Sequence, residues 1–261
     1  MVVSEESKTQ NESSLAQDFA LEVRDLSVQL AGRAVLTNLN LKVRRGEFVA
    51  LLGRSGCGKS TLLKVAAGEQ RPTSGQLLTP KRVGYAQQSS PLFPWMSVLR
   101  NVALAGAAET NRDQREAAAL QMLEAVGLQD HARKRPHSIS GGMRTRATLV
   151  RAFMPPAELV LLDEPFAALD PVTASNLYEV TLQLWRVRGT AVVLVTHNFD
   201  EAMRLADRIL VMKPDGSGWA LDQRLPQRSE VQFDLRRARS SAEDLLWNKL
   251  WIAVEGERQD G

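Results

Sequence analysis

The chain has 261 residues, 44% of them hydrophobic and 24% charged, the composition of a folded protein with one large domain or two small ones. That excludes a disordered chain, a collagen-like fibre and a coiled coil. Its 33 Lys and Arg against 30 Asp and Glu leave a net charge of +3, too little to argue for a nucleic-acid partner.

Residues 1–18 are rich in Ser, Glu, Gln and Asn without an apolar period, the pattern of a flexible tail, and they hold no apolar signal core that would direct secretion. Leu21, Val23, Leu26, Val28 and Leu30 alternate with one slip. Leu39, Leu41 and Val43 alternate again beyond Gly32, so an antiparallel ribbon is expected. Phe48-Val49-Ala50-Leu51-Leu52 is apolar without alternation, as in a strand covered on both faces. It runs into Gly53 and a glycine-rich loop, then a helical pattern from Lys59 to Ala67 that Gly68 closes. A second strand region ends over residues 83–88, and Pro91 and Pro94 break the chain. A helix is predicted over 113–126 with Gly127 just beyond it, and another from the Gly141-Gly142 pair to about Phe153. Residues 159–162 and 191–195 read as buried strands, separated by a helix over 174–188 that Gly189 stops; residues 209–212 read as one more strand. Such apolar stretches are strand-sized, short of the roughly 20 residues that a bilayer helix needs. Strands alternating with helices predict a parallel α/β sheet, with residues 91–155 as a helical insertion. Beyond Leu221 the chain is Arg-rich and then helical in pattern, with Ala242, Leu245, Leu246, Lys249, Leu250 and Ala253 on helical spacing and Trp247 and Trp251 one turn apart. Packing of that apolar face on the body is the expected arrangement, with contact to a partner or a membrane surface as the alternative.

Gly53-Arg54-Ser55-Gly56-Cys57-Gly58-Lys59-Ser60 matches G-x-x-x-x-G-K-[ST] at every fixed position. Its glycines let the backbone curl so that N–H groups converge on phosphate oxygens, and the following helix adds the positive end of its dipole. Lys59 is expected to reach the β and γ phosphates and the Ser60 hydroxyl to ligate Mg²⁺. Cys57, the one cysteine of the chain, lies in this loop, so its thiol is expected to react with thiol reagents when nucleotide is absent. Asp163 and Glu164 close the apolar run 159–162. Carboxylates at the C-terminal end of a parallel strand sit where ligands bind in open α/β sheets, so Asp163 is expected to hold Mg²⁺ and Glu164 to act on the attacking water as general base. Gln88 and His197 also follow strands, a position that by itself is more often structural than functional. Ser140-Gly141-Gly142 precedes a helix and reads equally as a second phosphate-binding helix start or as a capped loop. His131 and His137 carry no signal.

In order and spacing, these segments over roughly residues 20–220 resemble the ATP-binding cassette family, the motor subunits of ABC transporters. Gly53–Thr61 resembles the Walker A loop, Gln88 the Q-loop glutamine, and Ile139-Ser140-Gly141-Gly142-Met143 the family signature. Residues 159–164 resemble Walker B, Ala168-Leu169-Asp170 the D-loop, and His197 the switch histidine. The fold this implies is α/β: a P-loop NTPase with a RecA-like parallel sheet core, an antiparallel β subdomain and an inserted α-helical subdomain. A cassette over 19–220 and a C-terminal extension over 221–261 follow. The resemblance also implies ATP and Mg²⁺ as cofactors, with Arg54, Ser55 and Thr61 in the phosphate loop, Gln88 beside Ser60 and Asp163 at the metal, and Gln88, Glu164 and His197 as the catalytic set. The implied assembly is a head-to-tail dimer in which Ser140, Gly141 and Gly142 of one copy face the loop of the other. Two transmembrane permease subunits complete it at the cytoplasmic face of the inner membrane, with a periplasmic or lipid-anchored solute-binding protein acting through the permease.

Gln88-Ser89-Ser90-Pro91-Leu92-Phe93-Pro94-Trp95 resembles the extension of the nitrate, sulfonate and taurine importer branch, and Trp95 is expected near the groove that receives the permease. The activity implied is ATP hydrolysis that drives uptake of a small oxyanion such as an aliphatic sulfonate or taurine. Alternatives are the same role for nitrate, bicarbonate or another small solute, or a non-transport ABC ATPase. A GTPase reading lacks its guanine motif, since Asn248-Lys249 is followed by Leu250-Trp251. Leu30 stands where such importers often stack an aromatic on adenine, which predicts loose base selectivity. Gln87 replaces a usually apolar neighbour of Gln88, and Thr145 and Asn198 replace a Gln and an acidic residue.

Overall fold

The computed structural model describes residues 18–87, 92–106, 111–154, 157–167, 169–226 and 241–255. Nine strands are described, in two sheets. The first is the predicted ribbon, β1 (Phe19–Leu30) antiparallel to β2 (Arg33–Arg44), joined on its other side by β4 (Ser74–Leu78). The slip in the alternation of β1 is real: its register on β2 shifts between Val23 and Leu26, where Asp25 adopts a φ of 48°.

The second sheet carries the site. Its order is β5 (Val83–Ala86), β6 (Leu159–Asp163), β7 (Ala191–Val195), β3 (Phe48–Leu52), β8 (Arg208–Met212) and β9 (Trp219–Arg224). All neighbours are parallel except β9, which returns antiparallel to β8. Every residue of β3, β6 and β7 is buried. The absence of alternation has a direct cause: successive residues face two different cores. Ala50, Leu52, Val160, Leu162, Val192 and Leu194 face the helical side. Val49, Leu51, Leu159, Leu161, Val193 and Val195 face the ribbon and α1 (Lys59–Ala66).

The helices are α2 (Val98–Ala103), α3 (Arg112–Ala125), α4 (Gly141–Ala152), α5 (Pro171–Arg188), α6 (Phe199–Leu205) and α7 (Ser241–Glu255), with 3₁₀ turns at Gln129–His131 and Pro136–Ser138. α5 begins earlier than its apolar period suggests because Asp170 Oδ1 accepts the N–H groups of Val172 and Thr173, and Pro171 occupies the first helical position. Gly189 ends it at φ 60°. α7 packs on β8 and β9 with Leu250 fully buried, while Leu245 and Ile252 on the same helix are exposed. No described helix is long and apolar enough to cross a membrane.

One consequence of the strand order governs the site. Val195 of β7 is in register with Leu51 of β3 on one side and Asp163 of β6 on the other. The loops that leave β3, β6 and β7 therefore emerge side by side, at neighbouring strands about 4.8 Å apart.

Candidate active site

The loop after β3 is held open by backbone that side chains would obstruct. Gly58 has φ 108°, and a Cβ there would lie 2.6 Å from Leu36 Cδ2 and 3.0 Å from the Val35 carbonyl oxygen. The ribbon thus sits hard against the phosphate loop, and only glycine permits it. Arg54, Ser55 and Gly56 are exposed at the loop's crest, whereas Gly53, Cys57, Gly58 and Lys59 are buried. The Lys59 ammonium donates to the carbonyls of Gly53 at 2.7 Å and Arg54 at 2.9 Å, with Cys57 Sγ at 3.7 Å. Cys57 is only 3% exposed, so its thiol belongs to the floor of the loop rather than to its reactive face; this corrects the expectation of a thiol open to reagents. Ser60 is exposed and Thr61 half-buried in the first turn of α1.

Ser60 donates its hydroxyl to Asp163 Oδ1 at 2.9 Å, across 103 residues of sequence. Burial pushes the Asp163 carboxyl above its ordinary pKa, the Ser60 hydrogen bond pulls it back, and the Glu164 charge raises it further. Hydroxyl and carboxylate oxygens side by side form a hard, oxygen-only donor set that fits Mg²⁺. Glu164, next in the chain, has φ 47°, an uncommon region for a residue with a Cβ. Its N–H donates to the Val195 carbonyl at 2.9 Å. This aims the side chain across the end of β7, where Glu164 Oε2 lies 3.5 Å from His197 Nδ1. The His197 side chain is 66% exposed and that of Glu164 27% exposed, so the pair faces outward from the sheet edge.

Ser140, Gly141 and Gly142 lie elsewhere, at the start of α4. The Ser140 hydroxyl accepts the Met143 N–H at 3.2 Å and caps the helix, and Ser140 and Gly141 are exposed. A capped loop and an open helix N-terminus are therefore the same object here. A Cβ on Gly142 would meet Thr173 Cγ2 of α5 at 2.9 Å. Gln88 falls outside the described residues, as do Ala168 and residues 89–91.

The sequence matches the family "ABC transporter" over residues 36–167, a span that holds the phosphate loop, Ser140–Gly142 and Asp163–Glu164. The chain belongs to the ABC transporter family. It is 48% identical over 226 residues to the aliphatic sulfonates import ATP-binding protein SsuB 1 of Streptomyces avermitilis, which covers 87% of this chain and 82% of that one. It is 44% identical over 223 residues to the SsuB 1 protein of Pseudomonas fluorescens, covering 84% and 85% of the two chains. Among solved structures, a dimeric post-hydrolysis state of the ATP-binding cassette MJ0796 bound to ADP and Pi matches with a TM-score of 0.69, at 25% identity over 79% of this chain and 99% of that one.

This cassette also presents an aromatic groove beside β5. Trp95 is 66% exposed and Phe93 41% exposed, and their rings lie 5.2 Å apart. With Tyr85, Leu104 and Arg151 they line a groove of about 710 Å³. The loop that carries them is shaped by Asn101 of α2, which the sequence did not single out. Asn101 is fully buried; its Oδ1 accepts the Phe93 N–H at 2.6 Å, and its Nδ2 donates to the carbonyls of Phe93, Met96 and Ser97. Asn101→Ala strands these buried groups and is expected to destabilise the fold by about 3 kcal/mol, read as a lower urea midpoint at unchanged slope. A change below about 0.5 kcal/mol would mean that the loop holds its shape without Asn101.

Proposed function

We propose that this cassette is the ATP-hydrolysing subunit of an importer for a small oxyanion, an aliphatic sulfonate foremost. The observation that carries the chemistry is the sheet edge: Ser60 against Asp163 at 2.9 Å and Glu164 against His197 at 3.5 Å, on neighbouring strand ends. Backbone N–H groups from Gly53 to Thr61 cradle the phosphates of ATP, and the Lys59 ammonium exchanges its carbonyl partners for phosphate oxygens. Ser60, Asp163 and Gln88 would hold Mg²⁺, which when bound would neutralise phosphate charge. Glu164 orients the attacking water and takes its proton, and His197 fixes the γ-phosphate from the neighbouring strand end. Ser140, Gly141 and Gly142 of a second copy close the site, so hydrolysis and dimer opening belong to one cycle.

The choice of solute rests on the relatives, which are named for aliphatic sulfonate import, and on the motif ending in Trp95. Two permease subunits dock at the Phe93–Trp95 groove on the cytoplasmic face of the membrane, and a solute-binding protein delivers cargo on the other side. The tail over 1–18, the cassette over 19–220 with its insertion at about 91–155, and the extension over 221–261 complete the proposed organisation.

Glu164→Gln removes the base but keeps the shape. It is expected to lower kcat about 100-fold or more with little change in ATP affinity, and to abolish growth on an alkanesulfonate as sole sulfur source in a strain that depends on this gene. Equal hydrolysis by wild type and variant would remove Glu164 from the base role. Leu30 ends β1 and is 39% exposed. Replacing it by Tyr supplies a ring for stacking and is expected to tighten ATP binding roughly 2- to 10-fold, read by titration with ATP and GTP; unchanged affinity would place the base elsewhere.

A further inference from the structure

Beneath the Glu164–His197 pair runs a closed circuit of contacts. Two residues beyond Glu164, the buried Phe166 ring meets Tyr178 of α5 edge-on, with centroids 5.0 Å apart and planes at 86°. The Tyr178 hydroxyl donates to Glu201 Oε1 at 3.2 Å. Glu201 Oε2 accepts the Thr196 hydroxyl at 2.5 Å. His197 is the next residue in the chain, and its Nδ1 returns to Glu164 Oε2 at 3.5 Å. Thr196 is pinned twice more: its N–H donates to the Leu51 carbonyl at 3.2 Å, and its hydroxyl oxygen accepts the Asn198 N–H at 3.0 Å.

Tyr178 and Glu201 are buried, 8% and 5% exposed, and Thr196 is 2% exposed. A buried carboxylate is an expensive way to fill space, because removing its charge from water is repaid only by well-placed donors. Here the donors are Thr196, next in the chain to His197, and Tyr178, whose ring meets Phe166 two residues beyond Glu164. Glu201 lies in the first turn of α6; burial pushes its carboxyl above the usual carboxylate range, and the Thr196 and Tyr178 hydroxyls pull it back. Glu164 sits at φ 47°, a conformation that persists only where neighbours determine it.

We propose that Glu201, acting through Thr196 on one side and Tyr178 on the other, is a positioning residue that sets the separation and orientation of His197 and Glu164. This rests on the reading of Glu164 as base and His197 as its partner at the γ-phosphate. The three groups act as a unit, so their losses are not additive.

The test is a set of cycles on the full chain, measuring kcat and KM for MgATP with urea unfolding as the control for folding. Glu201→Ala is expected to lower kcat about 10-fold or more with KM within about twofold. Glu201→Gln keeps an oxygen for the Thr196 hydroxyl and is expected to recover most of that loss. Tyr178→Phe keeps the ring contact with Phe166 and is expected to cost a few-fold in kcat. In a His197→Ala background, Glu201→Ala is expected to cost clearly fewer fold than in the wild type, since only the Tyr178 arm toward Glu164 remains. Equal fold losses with and without His197, or wild-type kcat in Glu201→Ala, would overturn the proposal. Where Glu201→Ala does not fold, Thr196→Val and Tyr178→Phe carry the same cycle. A wild-type kcat for His197→Ala is a separate outcome: it overturns the role of His197, and with it the proposal.

Discussion

The parallel pairing of β7 with β3 on one side and β6 on the other is the constraint on which the rest depends. Val195 shares its row with Leu51 and Asp163. From that row the phosphate loop, the Asp163–Glu164 pair and His197 leave within a strand's width of one another. A one-residue slip of β7 would exchange the residues that fill its two cores. It would also move the carbonyl that receives the Glu164 N–H. Register here is fixed by burial on both faces, not by the functional residues. Ordinary packing of Val, Leu and Ala thereby determines the geometry of the polar groups at the strand ends.

That division explains what was legible in the sequence. β3, β6 and β7 were readable because strands covered on both faces are continuous apolar runs, and the phosphate loop was readable because its chemistry demands a fixed spacing. Other elements gave no such signal. β4 is Ser-Gly-Gln-Leu-Leu and mostly exposed at the edge of its sheet; β9, also an edge strand, was read as the start of an Arg-rich tail. α2 and α6 have six and seven residues, too few for a helical period to emerge. Asn101, Tyr178 and Glu201 were missed for a further reason. Each is a single polar residue whose meaning lies in partners that only the folded chain brings to it, and no spacing rule marks it. Ser140–Gly142 is the opposite case. It was visible, yet its local geometry, a capped and exposed helix start, fits both readings at once.

The electrostatics of the loop also follow from packing. The Lys59 ammonium is buried, and the cost of that burial is offset by two loop carbonyls at 2.7 and 2.9 Å. These are neutral acceptors, so a phosphate oxygen with full negative charge competes well for the same donor. Asp163 is buried with a pKa pushed upward, which a divalent cation beside Ser60 would reverse. The site is thus poised toward an anion and a cation together, which is the form in which ATP arrives. Ser140 and Gly141 stand exposed at the start of α4, a second set of backbone donors on the same chain.

The central claim is that each ATP site combines the phosphate loop of one copy with Ser140–Gly142 of another. Mixing two inactive chains tests it most directly, one carrying Lys59→Ala and the other Ser140→Arg, with MgATP hydrolysis measured before and after subunit exchange. A composite site predicts that the mixture regains activity, because each mixed pair places both lesions in one site and leaves the other intact. If the mixture stays as inactive as its parents under conditions where exchange is verified, Ser140 serves the site of its own chain and the composite arrangement is wrong.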